Sequence, residues 1–480
     1  MTGRRLSFRL LALALTFGVA ALPAPLFASG FQLVEQNASG LGNAYAGQAA
    51  GVKNASAIYF NPALLTRVKG WNIVASVEPI GVGTTFADSG STVPSAGPFV
   101  FPVPLGNDGG DAGGWIPVPN AYVSGQVSDR IWLGVAVNVP FGLETDWDPA
   151  WVGRFHASKS KVEALNINPT IAIAMTDSFS IGAGASYQHL KADLGQQVAY
   201  GSLAYAGTAQ AVAGLPPTLQ AAALAAVVAQ LGGPSGLALE GPALISGDSS
   251  AWGWNAGALL KLGDQAHVGV SYRSKVKHDV EGDVEFTGAP TFSLPGPLAP
   301  IGAGINARFA SGPVTTTIEL PETWSVAAAW EGEKVEILAD WTATSWDSIP
   351  SLDIVRDDGT ALSSVPLRFE STWRVGLGAN VKLNEAWTLR LGTAYDKAPV
   401  QDEFRTPRLP DNERIWAAGG FEWKLSEKAR IDVGYAHLFI DDAPSALPNQ
   451  ATPTSTPVGN LVGAYEAKVD IVGAQLTLSF

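Results

Sequence analysis

Alternation of apolar and polar residues runs through the chain from residue 70 onward and is the feature that most restricts its fold. In residues 131–139, IWLGVAVNV, every second residue is aliphatic. A period of two is that of a β-strand, whose successive side chains point to opposite faces. The same pattern recurs at residues 165–173, 252–262, 268–280, 324–330, 335–341, 373–383, 387–395, 415–423 and 431–439. The sequence therefore predicts an all-β chain.

Two further features favour a membrane barrel over a soluble β-sandwich, whose strands also alternate. Short polar turns are predicted at residues 176–178, 263–265, 331–333, 384–385 and 426–428, and long connections near 83–114, 140–160, 194–249, 288–315, 347–364, 397–411 and 441–463. Bacterial outer-membrane barrels have short turns on one side and long loops on the other. Tryptophans at strand ends would form the interfacial girdle: Trp71, Trp115, Trp132, Trp324, Trp330, Trp387 and Trp423.

The number of predicted strands is about fourteen, and single-chain bacterial barrels have an even number of antiparallel strands. The final strand, residues 472–480, ends on Phe480 and is expected to close the barrel on a first strand near Trp71. The alternative is that Phe480 ends an ordinary core strand. We predict an all-β transmembrane fold, an outer-membrane β-barrel of about 14 antiparallel strands.

The first 28 residues have the layout of a secretory signal peptide. Arginines at positions 4, 5 and 9 precede an apolar run over residues 10–21 and a small-residue cut after Ala28. A membrane anchor is the weaker alternative, because the chain contains no apolar run of about 20 residues. We therefore expect export, and location in the bacterial outer membrane.

Composition excludes several classes of function. Charged residues make up 15% of the chain, against about 25% in typical soluble domains. The net charge is −13 and no basic cluster occurs, so no nucleic-acid partner is expected. Because the chain has no cysteine, disulfides and thiolate metal sites are excluded.

Residues 29–69 precede the first predicted strand and do not alternate. The stretch from Phe31 to Leu65 is rich in small residues and includes Asn61-Pro62-Ala63. A barrel of about fourteen strands is too wide for its own side chains to fill. We therefore predict that residues 29–69 form a hatch inside the barrel, and that residues 70–480 form the barrel and its long extracellular loops.

Two of the long connections are unusually apolar. Residues 203–231 predict two short helices interrupted at Pro216-Pro217, and residues 290–305 are similarly apolar. These segments can pack on each other, or leave a groove for an apolar ligand, and the two outcomes are compatible.

Several stretches resemble the FadL/TodX family of outer-membrane transporters for long-chain fatty acids and other hydrophobic compounds. The stretches run in order along nearly the whole chain: FQLVEQNASGLGNAYAG, NASAIYFNPALL, PFGLETDWDPAWVGRFHASKS, NINPTIAIAM, WGWNAGALLKL, VSYRSKVKHDV, LPETW and LPDNERIWAAGGFEW. The resemblance implies a fourteen-stranded barrel with an N-terminal hatch, a low-affinity groove among the loops and a deeper high-affinity pocket. It also implies that ligand binding shifts the hatch and that the ligand leaves sideways through a kinked third strand.

The resemblance assigns expected roles to particular residues. Phe31 would insert its ring into the pocket, and Asn61, Pro62 and Ala63 would form the hatch triplet. The kink would lie at residues 138–142. This stretch runs from Asn138 to Gly142, and in it Pro140 would remove a ladder hydrogen bond and Gly142 would tolerate the bend.

The basic residues that bind a carboxylate in the family could not be matched here, which leaves open whether the ligand is a fatty acid or a neutral aromatic or alkane hydrocarbon. Arg154, Lys191, Arg273 and Lys275 are the candidate head-group contacts, and a solvated charge is the alternative for each. Partners are expected to be hydrophobic small molecules and outer-membrane lipids, and the protein is expected to be a monomer.

An enzyme or a purely structural barrel are the competing functional classes. The five histidines have no neighbouring Gly-x-Ser-x-Gly motif and no helical metal-ligand pair. No catalytic residue, metal or cofactor is therefore predicted. Because no phosphate-binding Gly-Lys loop is evident either, transport is expected to be passive.

Overall fold

The computed structural model describes residues 30–94, 104–448 and 458–480. The predicted signal peptide lies outside the described residues. In the described ranges, nine strands are continuous: β1 Trp71–Asp88, β2 Gly114–Ser128, β3 Ile131–Asp146, β4 Lys159–Ala174, β5 Phe179–Val198, β6 Gly241–Leu262, β11 Trp387–Asp396, β12 Arg414–Ser426 and β14 Leu461–Ser479.

Five more strands each consist of two segments. These are β7 (Ala266–Arg273 and Val276–Phe286), β8 (Gly312–Leu320 and Thr323–Glu331), β9 (Val335–Thr344 and Ser351–Arg356), β10 (Ala361–Pro366 and Thr372–Lys382) and β13 (Ala429–Ile440 and Ala443–Leu447). All neighbours are antiparallel, and β1 pairs with β14, so the sheet closes on itself. The prediction of a barrel of about fourteen strands is confirmed.

Closure occurs where the sequence predicts it. The backbone N–H of Phe480 donates to the carbonyl of Trp71 at 2.9 Å, and the N–H of Trp71 donates back to Phe480 at 3.2 Å. The paired register continues from Asn72 and Ser479 up to Asp88 and Gly463. The barrel therefore has no free strand edge at this seam.

The barrel wall is apolar on its outer face and partly polar on its inner face. In β1, Ile73 is 38% exposed and points outward, whereas its neighbours Asn72 and Val74 are 1% exposed and point inward. Other exposed apolar side chains on the outer face include Leu133, Val135, Leu165, Ile171, Leu377 and Leu391. A soluble sandwich has the opposite arrangement, so this distribution identifies a lipid-facing surface.

The predicted extent of most of the long connections is wrong, because strands continue into them; residues 83–114 contain the end of β1, and residues 140–160 contain the end of β3. Residues 194–249 contain the end of β5 and the start of β6, and residues 347–364 fall in a hairpin formed by the second segment of β9 and the first segment of β10. These strand extensions are rich in Gly, Ser and Asp, as in residues 246–250, SGDSS. They therefore lack the alternation of apolar and polar residues from which the membrane part of each strand was predicted.

Residues 30–70, called here the N-terminal segment, lie within the barrel. Short helices span Ala38–Leu41 (α1), Gln48–Gly51 (α2) and Ala57–Phe60 (α3), followed by a 3₁₀ helix over Pro62–Arg67. Wall glycines permit the close approach: a Cβ added at Gly392 would lie 2.1 Å from the backbone of Asn43, and one at Gly269 would lie 1.8 Å from the carbonyl oxygen of Ala49.

Three longer helices occur in the parts of the connections that the structure describes: α4 Tyr200–Ala211, α5 Pro217–Gln230 and α6 Ala299–Arg308. The predicted break between the first two is confirmed, because α5 begins at Pro217. Apolar residues of these helices, including Leu203, Val227 and Ile305, pack in one cluster with Phe292 and Phe309 of the adjoining chain. Within the described ranges, no helix has the length and hydropathy needed to cross a bilayer. Shorter 3₁₀ helices span Pro234–Ala238, Gly296–Leu298, Trp346–Ser348 and Asp402–Phe404.

Candidate functional site

The N-terminal segment begins as a short strand paired with β3. The N–H of Leu33 donates to the carbonyl of Pro140 at 2.9 Å, and the N–H of Gly142 donates to the carbonyl of Phe31 at 3.0 Å. Gln32 and Phe141 form an isolated antiparallel bridge between these two bonds. The start of the segment is thus hydrogen-bonded to the stretch of β3 that the resemblance assigns to the kink.

The structure shows an irregularity in β3 at that position. The register between β3 and β4 shifts between Asn138 and Phe141, where Val139 and Pro140 are opposed by a single residue of β4. Such a bulge bends the strand, and Pro140 has no N–H to contribute to the ladder. Gly142 has an ordinary negative φ. It makes a close contact instead: a Cβ there would lie 3.0 Å from Cδ1 of Leu33, so the leucine side chain would have to shift.

Beyond the bulge, β3 no longer pairs with β2. The pairs between β2 and β3 run from Ser128 and Ile131 only as far as Ala121 and Val137. In contrast, β2 stays paired with β1 as far as Gly114. The barrel wall therefore opens between residues 114–120 and 138–146.

A cavity of about 930 Å³, called here the lateral cavity, lies at this opening. The larger part of its lining is apolar and includes Phe31, Leu33, Val118, Val139 and Leu143. Seven charged residues also line it: Glu35, Glu144, Asp146, Lys161, Glu163, Asp411 and Arg414. Ligand sites in proteins are typically clefts of about 300–1,000 Å³ with apolar walls and few polar groups. The lateral cavity thus has the size and lining of a site for a hydrophobic molecule, and it lies where the wall is open.

Phe31 belongs to an aromatic cluster at this cavity. Its ring centroid lies 4.8 Å from that of Trp346 and 5.9 Å from that of Phe141. The preceding residue is also held, because the N–H of Gly30 donates to Oδ2 of Asp411 at 2.9 Å. Phe31 is therefore held by packing of its ring and by the hydrogen bonds of Gly30 before it and Leu33 after it.

Gln36 is a functional candidate that the sequence reasoning missed. Its Nε2 donates to the carbonyl of Val139 at 2.8 Å, and its Oε1 accepts from Nδ2 of Asn138 at 2.5 Å. Asn138 in turn accepts from Nδ2 of Asn166 at 2.8 Å. Gln36 thus satisfies the polar groups freed by the bulge. The sequence did contain a signal for it, because Gln36 lies in FQLVEQNASG, part of a stretch that carries the family resemblance.

Asn61 joins the N-terminal segment to the wall. Its Nδ2 donates to the carbonyl of Ala49 at 2.7 Å and to that of Ala258, in β6, at 3.0 Å. Its Oδ1 accepts from the N–H of Ala63 at 3.1 Å, which caps the 3₁₀ helix that begins at Pro62. One fully buried side chain therefore makes three bonds, one of them to the barrel.

A second, smaller cavity of about 110 Å³, called here the inner cavity, lies between the N-terminal segment and the wall. Six charged side chains line it besides three tyrosines: Glu35, Arg273, Asp340, Arg374, Asp396 and Arg414. Arg374 lies 3.6 Å from Asp340, and Arg414 lies 2.7 Å from Asp411. Gln32, Glu35 and Arg414 line both cavities, so the two are neighbours.

Arg273 is the one of the four candidate head-group residues that lines the inner cavity. Its guanidinium donates to the carbonyl of Tyr59 at 2.9 Å and to Oγ of Ser186 at 3.4 Å, and lies 4.3 Å from the Tyr59 ring centroid. Among the described residues no carboxylate forms an ion pair with it. A buried cation without an anionic partner is costly.

The structure places the other three candidates away from both cavities. Arg154 is buried in a connection, where it bonds Glu240 at 3.0 Å and the carbonyls of Pro104, Leu105 and Trp151. Lys275 is exposed and pairs with Glu319 at 2.7 Å. Lys191 is exposed on β5. Arg154 has the contacts of a structural residue, and the two lysines have those of solvated charges.

Glu35 lies at the boundary between the two cavities. Burial raises the pKa of its carboxyl group to about 7, and a backbone hydrogen bond and the positive charge of Arg414 act in the opposite direction. Glu35 precedes the first strand in sequence and was not predicted, because a single acidic residue in a segment without periodicity gives no signal of its burial.

Comparison with known proteins identifies relatives along almost the whole chain. The sequence profile of the family described as "Outer membrane protein transport protein (OMPP1/FadL/TodX)" matches residues 19–480. The "Long-chain fatty acid transport protein" of Escherichia coli (strain K12) is 27% identical over 436 residues, which cover 88% of this chain and 91% of that protein. The "47 kDa outer membrane protein" of Pasteurella multocida is 30% identical over 419 residues, or 86% and 87% of the two chains.

Solved structures show the same fold. A FadL homologue of Pseudomonas aeruginosa superimposes with a TM-score of 0.79 at 23% identity and covers 94% of this chain and 100% of that chain. The "CymD monoaromatic hydrocarbon channel" gives a TM-score of 0.60 at 17% identity, with coverage of 94% and 99%. The toluene transporter TodX of Pseudomonas putida gives 0.59 at 15% identity, with coverage of 91% and 98%.

Proposed function

Because this chain belongs to the OMPP1/FadL/TodX family of outer-membrane transport proteins, we propose that it takes up long-chain fatty acids or other hydrophobic molecules through the lateral cavity. The observation that carries the proposal is the hydrogen-bonded pairing of residues 31–33 with the bulged part of β3, beside an apolar cavity at an opening of the wall. One movement of this short strand would change both the cavity and the opening.

The N-terminal segment is proposed to act as the hatch. A ligand that enters from the loop side gains free energy by leaving water for the apolar lining of the lateral cavity. To occupy the cavity fully it must displace Phe31, which removes the Phe31 and Leu33 bonds to β3. The ligand then has a path between residues 114–120 and 138–146 toward the lipid. Transport in this scheme is passive, because partition between apolar sites drives it.

Arg273 is proposed to contact the carboxylate of a fatty acid. The inner cavity is too small for an acyl chain, but it adjoins the lateral cavity at Gln32 and Glu35. A fatty acid could therefore place its head group toward Arg273 and its chain in the lateral cavity. A hydrogen bond to a charged partner contributes about 1.5–3 kcal/mol, which corresponds to about 10-fold to 150-fold in affinity.

Uptake of a neutral aromatic or alkane hydrocarbon is the second candidate. Two observations favour it. The larger part of the lining of the lateral cavity is apolar. The inner cavity carries three acidic and three basic groups, so its charges balance and give no net attraction for an anion. A neutral ligand would need only the lateral cavity. The proposal of a non-enzymatic role follows from the family and from the absence of a catalytic motif in the sequence.

Uptake measurements separate these possibilities. Radiolabelled oleate and toluene would be offered to Gram-negative host cells that lack their own transporter and express the wild type, Arg273→Gln or the matched control Lys275→Gln. We expect Arg273→Gln to lower oleate uptake at limiting concentration and to leave toluene uptake unchanged. Equal loss for both ligands would contradict the head-group role. Failure of the wild-type protein to take up either compound would contradict the proposed function.

A further inference from the structure

The N-terminal segment occupies an edge of β3 that β2 leaves unpaired. Beyond the bulge, β4 pairs with one edge of β3 up to the end of that strand. On the opposite edge, which faces β2 across the opening, Leu33 donates to Pro140 and Gly142 donates to Phe31. When residues 31–33 leave, as in the proposed function, this edge of β3 becomes free. A free strand edge is a template for pairing with another strand.

The strand nearest to that edge is β2, and its pairing with β3 would close the opening. The bulge sets two residues of β3 opposite one position of the neighbouring strand. With that count, the register of β2 and β3 continues to Val118 opposite Phe141 and Pro117 opposite Gly142. Val118 and Phe141 are both buried on the inner face. The alternation of the side chains therefore permits closure.

The backbone of β2 opposes closure. Pro117 lies opposite Pro79 of β1, and because neither residue has an N–H, the two exchange no hydrogen bonds. Bonded and non-bonded pairs alternate along antiparallel strands, so Pro119, opposite Val77, is also at a non-bonded position toward β1. Such a residue directs its nitrogen and its carbonyl toward the other neighbour. Pro117 and Pro119 therefore occupy the next two positions after Ala121 from which β2 would donate to β3, and neither has a hydrogen to donate.

We propose that Pro117 and Pro119 are positioning residues that keep the wall open when the N-terminal segment leaves β3. Prolines in a sheet are confined to places where no ladder bond is needed from their nitrogen. Here they prevent β2 from replacing residues 31–33 on β3, so the released edge stays free and the segment can bind it again after the ligand has left. The inference rests on the proposed function, because it concerns the route by which the ligand leaves.

Disulfide cross-linking of the purified full-length protein tests this role. Ile116→Cys and Leu143→Cys place two thiols at positions that closure would bring opposite each other, and the chain has no other cysteine. Leu33→Pro removes one of the two hydrogen bonds on the edge of β3 and favours the released state. We expect copper phenanthroline to form the disulfide about tenfold faster, equivalent to about 1.4 kcal/mol, when Pro117→Val/Pro119→Val is added to this triple variant.

The matched control is Pro79→Val. It adds an N–H to the same part of the wall, but this N–H faces β14, because Pro79 exchanges no bonds with β2. The control should leave the cross-linking rate unchanged, and heat-modifiable mobility verifies that each barrel is folded. If the double valine variant does not fold, Pro117→Val alone should still accelerate cross-linking. Equal rates with valine and with proline, or equal acceleration by Pro79→Val, would overturn the proposal.

Uptake distinguishes this proposal from the proposed function. In the chain without the cysteines and without Leu33→Pro, Pro117→Val/Pro119→Val should lower oleate uptake about fivefold, whereas Pro79→Val should not. Wild-type uptake by the double valine variant, despite faster cross-linking, would overturn the role of the two prolines in the route. If the wild type takes up neither oleate nor toluene, the proposed function fails, and the cross-linking rates still decide whether the prolines keep β2 and β3 apart.

Discussion

Removal of the Phe31 ring tests whether aromatic packing holds the N-terminal segment on β3. The ring contacts Trp346 and Phe141 at centroid distances of 4.8 Å and 5.9 Å. Each aromatic pair contributes about 0.5–1.5 kcal/mol beyond simple burial. Phe31→Ala should therefore shift the docking equilibrium by about 1–3 kcal/mol, or about 5-fold to 150-fold, toward the released state.

Thiol labelling can measure this shift, because the chain has no cysteine of its own. Val34→Cys places one thiol in the docked stretch, where Val34 lines the inner cavity. We expect a water-soluble maleimide to react slowly with this variant and faster, by the factor above, when Phe31→Ala is added. Oleate should accelerate labelling of the single variant if ligand displaces Phe31.

Phe421→Ala is the matched control, because Phe421 also packs on a tryptophan, Trp387, at 5.4 Å but on the lipid-facing surface. It should leave the labelling rate of Val34→Cys unchanged. If Phe31→Ala labels no faster than the control, packing of Phe31 does not hold the segment on β3, and the proposed displacement step is wrong.

Three other substitutions address the remaining contacts. Asn61→Ala removes three hydrogen bonds, worth about 0.5–1.5 kcal/mol each, and should lower oleate uptake while a heat-modifiable barrel remains; wild-type uptake would remove the role assigned to Asn61. Gly142→Leu should push Leu33 away from β3 and alter oleate uptake. The control Gly419→Leu, at an outward position of β12, should leave oleate uptake unchanged. Equal effects of the two substitutions would argue against a role for the contact between Gly142 and Leu33. The carboxyl group of Glu35 becomes negatively charged as the pH rises through its pKa of about 7, and this charge repels the carboxylate of oleate. Oleate binding, measured by calorimetry, should therefore weaken from pH 6 to pH 8 more in the wild type than in Glu35→Gln. Parallel pH profiles for the two proteins would show that Glu35 does not act on oleate binding.

Much of the barrel could be predicted from local pattern. The membrane part of each strand has the period of two, and the tight turns between strands are polar, so β3, β4 and the closure at Phe480 were all predictable. The strand extensions beyond the membrane could not be predicted in the same way, because both faces there meet water or loops. The hairpin in residues 351–366 is an example.

The site could be predicted only in part, because its contacts join residues that are far apart in sequence. Phe31 and Pro140 were expected to matter separately, but only the structure shows the hydrogen bonds between their stretches. Gln36 and Glu35 have no periodic pattern around them, and their roles depend on wall residues such as Asn138 and Arg414. Arg273 could not be distinguished from Lys275 until the structure placed one inside the barrel and the other outside.

The closing seam between β1 and β14 has a consequence for assembly. Asn72 bonds Ser479, a partner 407 residues later in the chain, and Ser39 of the N-terminal segment is bonded to Gln475 of β14. Contacts between residues so distant in sequence slow folding, because loop-closure entropy must be overcome before they form. Until the final pairing forms, the lipid-facing strands lack a closed ladder, and the bond between Ser39 and Gln475 is missing as well. Variants that weaken the attachment of the segment to the wall should accordingly slow barrel maturation as well as transport.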